Sequence, residues 1–182
     1  KYVYTTNANI GGIKTSGIDT LVSYTFDSDW GLFDQGSRWE LSSSWTYTHE
    51  FTVTPIQDLP EITNECVGAW GGTCGQPIPD WKSTTRFTWL TGDMLLSLRA
   101  RYLGSITTDR IVVPKAAGNS YPSADSMVNA NIDSYLYFDL TWGWSFTEDT
   151  QFLIGLNNML DKDPPILGDL QQGGSNTIPA TY

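Results

Sequence analysis

Histidine, cysteine and positive charge are scarce. One histidine (His49) and two cysteines (Cys66 and Cys74) occur in 182 residues, and ten basic side chains stand against twenty acidic ones for a net charge of -10. A lone histidine on an apolar strand face does not assemble a serine, histidine and aspartate relay. Without a CxxC spacing or a second histidine, no zinc set is expected, and no other metal or cofactor. The acidic balance disfavours nucleic acid, whose phosphates need a basic face. No run of 18 apolar residues exists, which excludes a transmembrane helix. A membrane barrel stays open, because its strands alternate apolar and polar residues. Apolar positions never recur at three and four over a dozen residues, so no helix is expected. With no helix, no phosphate-cradling glycine loop can precede one.

Aromatic residues are plentiful instead. Phe, Trp and Tyr make up 13% of the chain, eight of them Trp, a level that belongs with sandwiches, carbohydrate-binding surfaces or membrane barrels. Period-two alternation appears repeatedly. Residues 1–9 read as the tail of a strand. From Ile18 the even positions Ile18, Val22, Tyr24 and Phe26 are apolar or aromatic, while Asp19, Ser23, Thr25 and Asp27 are polar. Residues 38–54 are the most regular stretch, with Trp39, Leu41, Trp45, Tyr47, His49, Phe51 and Val53 on one side and Arg38, Glu40, Thr46, Thr48 and Glu50 on the other. Seventeen such residues span roughly 55 Å, longer than the usual strand of a globular domain. Further strands are expected at 82–90, 94–107, 132–146 and from Gln151, giving about seven in all.

The connections alternate. Residues 27–36, 91–93 and 147–150 are short turns; residues 55–81, 108–131 and 161–182 are long and rich in Pro, Gly, Ser and Asn. This asymmetry fits an antiparallel up-and-down transmembrane barrel, with short turns on one side and long loops on the other. An immunoglobulin-like sandwich has shorter strands and turn signals every 8 to 12 residues. Trp30, Trp142 and Trp144 near the short turns suit an aromatic girdle, with Tyr47 and Tyr102 nearer the opposite ends. Asp27, Asp29 and Asp34 lack the glycine and closing glutamate of a calcium loop and read as a solvated turn.

Cys66 and Cys74 lie eight apart in a loop rich in Gly and Pro. A bridge between them is expected, worth roughly 2–3 kcal/mol in the chain-entropy picture, and it implies an oxidising compartment. Candidate binding residues are Trp70, Trp81, Arg110 and Tyr121 overhanging a lumen, with Arg99 and Arg101 on its inner wall, where a guanidinium fork holds carboxylate or phosphate. The alternative for the arginines is pairing with inward Asp or Glu of a neighbouring strand. Glu40, Glu50, Asp133 and Asp139 fall on polar faces, but their spacing fixes no opposed pair for glycoside hydrolysis. Enzymatic activity is not expected.

One stretch carries more. In QFLIGLNNMLDKDPP, residues 151–165, Phe152, Ile154 and Leu156 alternate into Asn157, Asn158, Met159, Leu160, Asp161 and Lys162 and stop at Pro164 and Pro165. Proline cannot donate to a ladder, so the strand ends there. The run resembles the penultimate-strand motif of TonB-dependent outer-membrane receptors. Asn176, Thr177, Pro179 and Tyr182 follow in the order of that family's next loop, and Asn9, Lys14, Gly17, Ile18 and Asp19 resemble its strand-entry pattern. The resemblance implies that residues 1–182 are the C-terminal portion of a 22-stranded barrel, lacking the plug domain, the TonB box and the final strand. Lys1 in place of Met, with no apolar leader ahead of the first strand, likewise leads us to expect a piece of a longer protein. Implied with the family are residence in the bacterial outer membrane among lipid and lipopolysaccharide, TonB as energy-coupling partner, and uptake of a scarce nutrient such as siderophore-bound iron, a vitamin or an oligosaccharide. The alternatives are a secreted aromatic-rich sandwich that binds carbohydrate and a passive porin.

Overall fold

The computed structural model describes residues 11–32, 35–56, 59, 61–113 and 129–165. In chain order the strands are β1 (Gly12–Ser28), β2 (Ser37–Thr54), β3 (Asn64–Glu65), β4 (Ala69–Gly71), β5 (Gly75–Ile78), β6 (Trp81–Thr91), β7 (Met94–Leu103) and β8 (Ile106–Thr108). A single helical turn, α1 (Asp109–Val112), precedes β9 (Asn131–Ile132), β10 (Tyr135–Thr147) and β11 (Thr150–Leu156). The fold is all-β. The six long strands form one antiparallel sheet in the order β1-β2-β6-β7-β10-β11, with β3 added beside the end of β2. The strand expected over residues 1–9 lies outside the described residues.

Antiparallel partners share a face, so the register sorts the side chains. One row across the sheet reads Tyr24, Leu41, Phe87, Leu98, Leu140 and Leu156; the next reads Phe26, Trp39, Trp89, Leu96, Trp142 and Ile154. The reverse face carries Ser42, Arg86, Arg99 and Asp139 in one row, and Ser44, Thr84, Arg101 and Tyr137 in the next. The apolar rows are not packed against a second layer: Tyr24, Leu41, Phe87, Leu98 and Leu156 are all exposed.

Aromatic rings gather at both ends of this apolar face. Towards the short turns, Trp39 stands 5.0 Å from Trp30 and 5.2 Å from Trp89, and Trp144 stands 4.5 Å from Phe146. Towards the other end, Trp81 lies 4.7 Å from Tyr47 and 6.5 Å from Trp45. Serine hydroxyls on the same face accept from the indoles: Trp39 Nε1 donates to Ser28 (3.0 Å), Trp89 Nε1 to Ser37 (2.9 Å) and Trp45 Nε1 to Ser43 (2.8 Å). Each of these rings thus keeps its polar atom satisfied while presenting carbon outward.

Strict alternation along β2 fails above Thr48. The register slips between Ser16 and Gly17, so that Gly17 faces Thr48 but Ser16 faces Glu50, leaving His49 as the extra residue of a bulge. A bulge changes which face the following residues occupy. Phe51 and Val53, expected beside Trp45 and Tyr47, therefore sit opposite Thr15 and Ile13 on the reverse side. Gly17 permits the bulge, because a Cβ there would collide with the Tyr47 carbonyl oxygen and come within 3.3 Å of the Thr48 Cα.

The second departure from expectation concerns the long loops. Their described segments do not stay separate; β5, β4, β8 and β9 form a second sheet in that order, joined by a parallel β4–β8 pair. The strand read as 94–107 thus breaks in two, β7 in the large sheet and β8 in the small one, and the strand read as 132–146 divides likewise into β9 and β10. One turn of α1 also appears where no helix is expected, too short to leave a periodicity.

This cap holds the buried hydrophobic clusters. Trp70, Ile106 and Ile132 pack together with Tyr135 against them, while Cys66, Ala69 and Cys74 pack with Phe51, Val53 and Ile78. The expected Cys66–Cys74 bridge is present, with Cα atoms 5.5 Å apart. Phe51, Val53 and Tyr135 all belong to the polar side of the large sheet, so the cap leans over that side and leaves the apolar rows open.

Candidate functional site

The polar face is where charge converges. β7 places Arg99 and Arg101 two residues apart, hence on the same side, and β10 places Asp139 directly opposite Arg99. The Asp139 carboxylate accepts from Arg99 Nε at 2.8 Å and from Arg101 Nε and Nη2 at 3.0 and 3.3 Å. It also accepts from the backbone N–H of Asn158 at 2.8 Å. Asp139 is 4% exposed, and the two arginine side chains 34% and 38%. Two guanidiniums share one carboxylate, so a positive charge is left over. Arg101 also lies 5.2 Å over the ring of Tyr137, whose buried hydroxyl has no hydrogen-bond partner.

The conspicuous Asn-rich run proves to be a latch on this cluster. Met159 N donates to the Phe138 carbonyl at 2.7 Å, carrying the β10–β11 pairing past the last regular residue. The Asn158 side chain then both donates to the Lys162 carbonyl and accepts from its N–H, each at 3.0 Å, closing a five-residue loop. Asn158 and Asp161 each adopt φ +50, which Asn and Asp tolerate better than most residues. Lys162 Nζ ends 4.3 Å above the Tyr135 ring.

Above the arginines the polar face forms two adjoining concavities. One, of about 240 Å³, is lined by Thr46, Lys82, Thr84, Arg101, Leu103 and Tyr137. The other, of about 510 Å³, lies between the sheet and the cap and is lined by Phe51, Pro77, Ile78 and Pro79 among others. Thr46, Lys82 and Leu103 border both, so the two are one groove. Lys82 makes no ion pair among the described residues.

Of the residues singled out in the sequence, Arg99 and Arg101 are brought together on the polar face, paired with a neighbouring strand's aspartate as the alternative reading had it. Trp81 is placed differently: it belongs to the apolar face beside Tyr47, not over the polar one. Trp70 is 0% exposed in the cap core and presents no ring to a ligand. Arg110, on α1, borders a separate hollow with Gly72, Thr73 and Asp109. Tyr121 lies outside the described residues. Sequence reasoning missed Lys82 and Tyr137. Their signal was available, since both alternate onto the face of Arg101.

A carboxylate also ties the cap to β2. Glu65 Oε1 accepts from the N–H groups of Phe51, Cys66 and Val67, each at 3.1 Å, and Oε2 accepts from the Thr52 hydroxyl at 3.1 Å. Burial pushes the Glu65 pKa up, but these four donors outweigh it and hold the carboxyl below its usual range. A depressed folded pKa means the stabilisation is present above the unfolded value and is lost as pH falls through the folded one. We expect amide exchange of Val67, whose N–H donates to Glu65, to accelerate as pH falls below the usual glutamate range, after correction for intrinsic rates. Glu65→Gln should exchange faster at neutral pH and show no such acceleration.

Among the described residues, no group of three His, Cys, Asp or Glu side chains could hold a metal ion. Compared with protein-family models, with curated proteins and with solved structures, the chain matches none.

Proposed function

We propose that this chain is a wall segment of an outer-membrane β-barrel, with its apolar rows turned to hydrocarbon and its polar face turned to an enclosed aqueous lumen. Within that class, the run at residues 151–165 favours a TonB-dependent receptor taking up a scarce nutrient, a transport role rather than a catalytic one. The observation that carries the reading is the exposed apolar face, continuous over six long antiparallel strands, with aromatic bands at both ends and the buried hydrophobic clusters displaced into the cap. A sandwich would cover those rows with a second sheet, whereas the cap leans over the opposite face. The outer edges of β1 and β11 have no partner strand among the described residues, and such edges demand further strands in a membrane, where an unpaired backbone group costs several kcal/mol.

The test is Leu98→Arg in the full-length protein that carries this chain. Leu98 is mid-strand on the apolar face and 37% exposed. A lipid-facing arginine near mid-depth costs about 2–4 kcal/mol, so the variant should be depleted from the outer-membrane fraction, while arginine at the polar-face position Thr84 should assemble normally. A protein that fractionates as soluble, or tolerates Leu98→Arg unchanged, sinks the reading.

A further inference from the structure

The groove on the polar face has two chemically different halves that meet at Lys82 and Leu103. At one half stand Arg101, Lys82, Thr46 and Thr84, with the unpartnered Tyr137 hydroxyl in the wall. The other half is roofed by the cap residues Pro77, Ile78 and Pro79 and floored in part by Phe51. The bulge at His49 creates this second half, because it turns Phe51 from the apolar face into the groove. Among the acids near the floor, Asp19 lies opposite Thr46 and accepts its hydroxyl at 2.6 Å, and Asp80, beside Pro79, accepts from the Trp81 N–H at 2.9 Å; neither makes an ion pair with Lys82 or Arg101. The Asp139 charge is exceeded by its two arginines. The cationic half is therefore free to attract an anion in a chain that is otherwise strongly acidic.

We propose that the groove binds an amphiphilic oxyanion, a solute with a carboxylate or phosphate head and an apolar body. The head is held between Arg101 and Lys82, and the body lies beneath Ile78 and Pro79. A guanidinium beside a second cation favours an oxyanion over a neutral hydroxyl. The proline-rich roof offers no free N–H at Pro77 or Pro79, which suits an apolar body and not a polar chain. This deepens the proposed function by naming the solute class, and it rests on that reading for the groove's access from a lumen.

The experiment uses the full-length protein recovered from the outer membrane into lipid nanodiscs, with 4-phenylbutyrate as probe followed by calorimetry. Saturable binding is expected, with acetate and 4-phenylbutanol each at least tenfold weaker. Arg101→Gln should weaken the probe about tenfold and Arg101→Lys by much less. Competition by oleate would mark the natural ligand as lipid-derived, and its absence would mark a water-borne solute; both accord with the proposal. Acetate binding as tightly as the probe reduces the site to a bare oxyanion pocket, and the alcohol binding as tightly reduces it to an apolar one. Either result overturns the proposal, as does no saturable binding or an unchanged affinity in Arg101→Gln. Outer-membrane fractionation of the same preparations is scored separately, so a correctly assembled receptor that ignores the probe refutes the ligand class and not the barrel.

Discussion

Trp70→Ala should unfold the cap while leaving the large sheet intact. The indole is fully buried with Ile106 and Ile132, and truncating a buried tryptophan costs about 3–5 kcal/mol in lost transfer energy and cavity. Beyond the disulfide and the Cys66, Ala69 and Cys74 cluster the cap has little backbone pairing to absorb the loss, because its strands are two to four residues long. Trp70 Nε1 and the Thr108 hydroxyl, facing positions of the β4–β8 pair, are both buried without a hydrogen-bond partner. That arrangement already costs stability, and only the packing around it offsets the penalty. The reading is amide exchange at Thr107 and Thr108, whose N–H groups donate to Gly68 and Ala130 at 2.7 and 2.8 Å. Protection there should collapse, while amides in the middle of β6 and β7 stay protected. Unchanged protection at Thr107 would remove Trp70 from the cap core and return it to the candidate ligand contacts.

Asp139→Ala should cost about 3 kcal/mol, at the lower end of what breaking a buried ion pair costs, because both arginines are about a third exposed and water compensates them in part. Three donors lose their acceptor at once: the two guanidiniums and the Asn158 N–H. Asp139→Asn keeps an acceptor for Asn158 but no charge, so its loss should fall between wild type and alanine. Adding Arg99→Met to Asp139→Ala should recover part of the deficit, since it removes one uncompensated cation. Urea denaturation of the assembled protein measures all three. Proteolysis near residues 157–162 then tells whether the latch has opened. If Asp139→Ala and wild type unfold at the same urea concentration, the cluster is surface decoration and not an anchor.

Much of the sheet was legible because alternation leaves a direct trace: Trp39, Leu41 and Trp45 share a face for the same reason that Leu98 and Ala100 do. The Arg99, Arg101 and Asp139 cluster was half legible. Period two put all three on the polar side, but that Arg99 faces Asp139 follows from how far β7 slides along β10, which no single strand records. The bulge left weaker marks, a glycine in one strand and a lone histidine in the next, and neither says where the registers slip.

From its residues alone this chain determined an all-β fold, long strands with one apolar and one polar face, short turns alternating with long loops, and a disulfide closing a small ring. These properties depend on neighbours in sequence, through the pleat, the turn-forming residues and an eight-residue separation. Only the tertiary structure decided that segments of two long loops pair into one cap with Trp70 in its core, that Phe51 and Val53 pack against the Cys66, Ala69 and Cys74 cluster of that cap, that Trp81 joins the apolar face, and that Asn158 latches onto Asp139. Each of these depends on contacts between segments far apart in the chain, where pairing register and loop docking choose among arrangements that the alternating pattern makes equally acceptable.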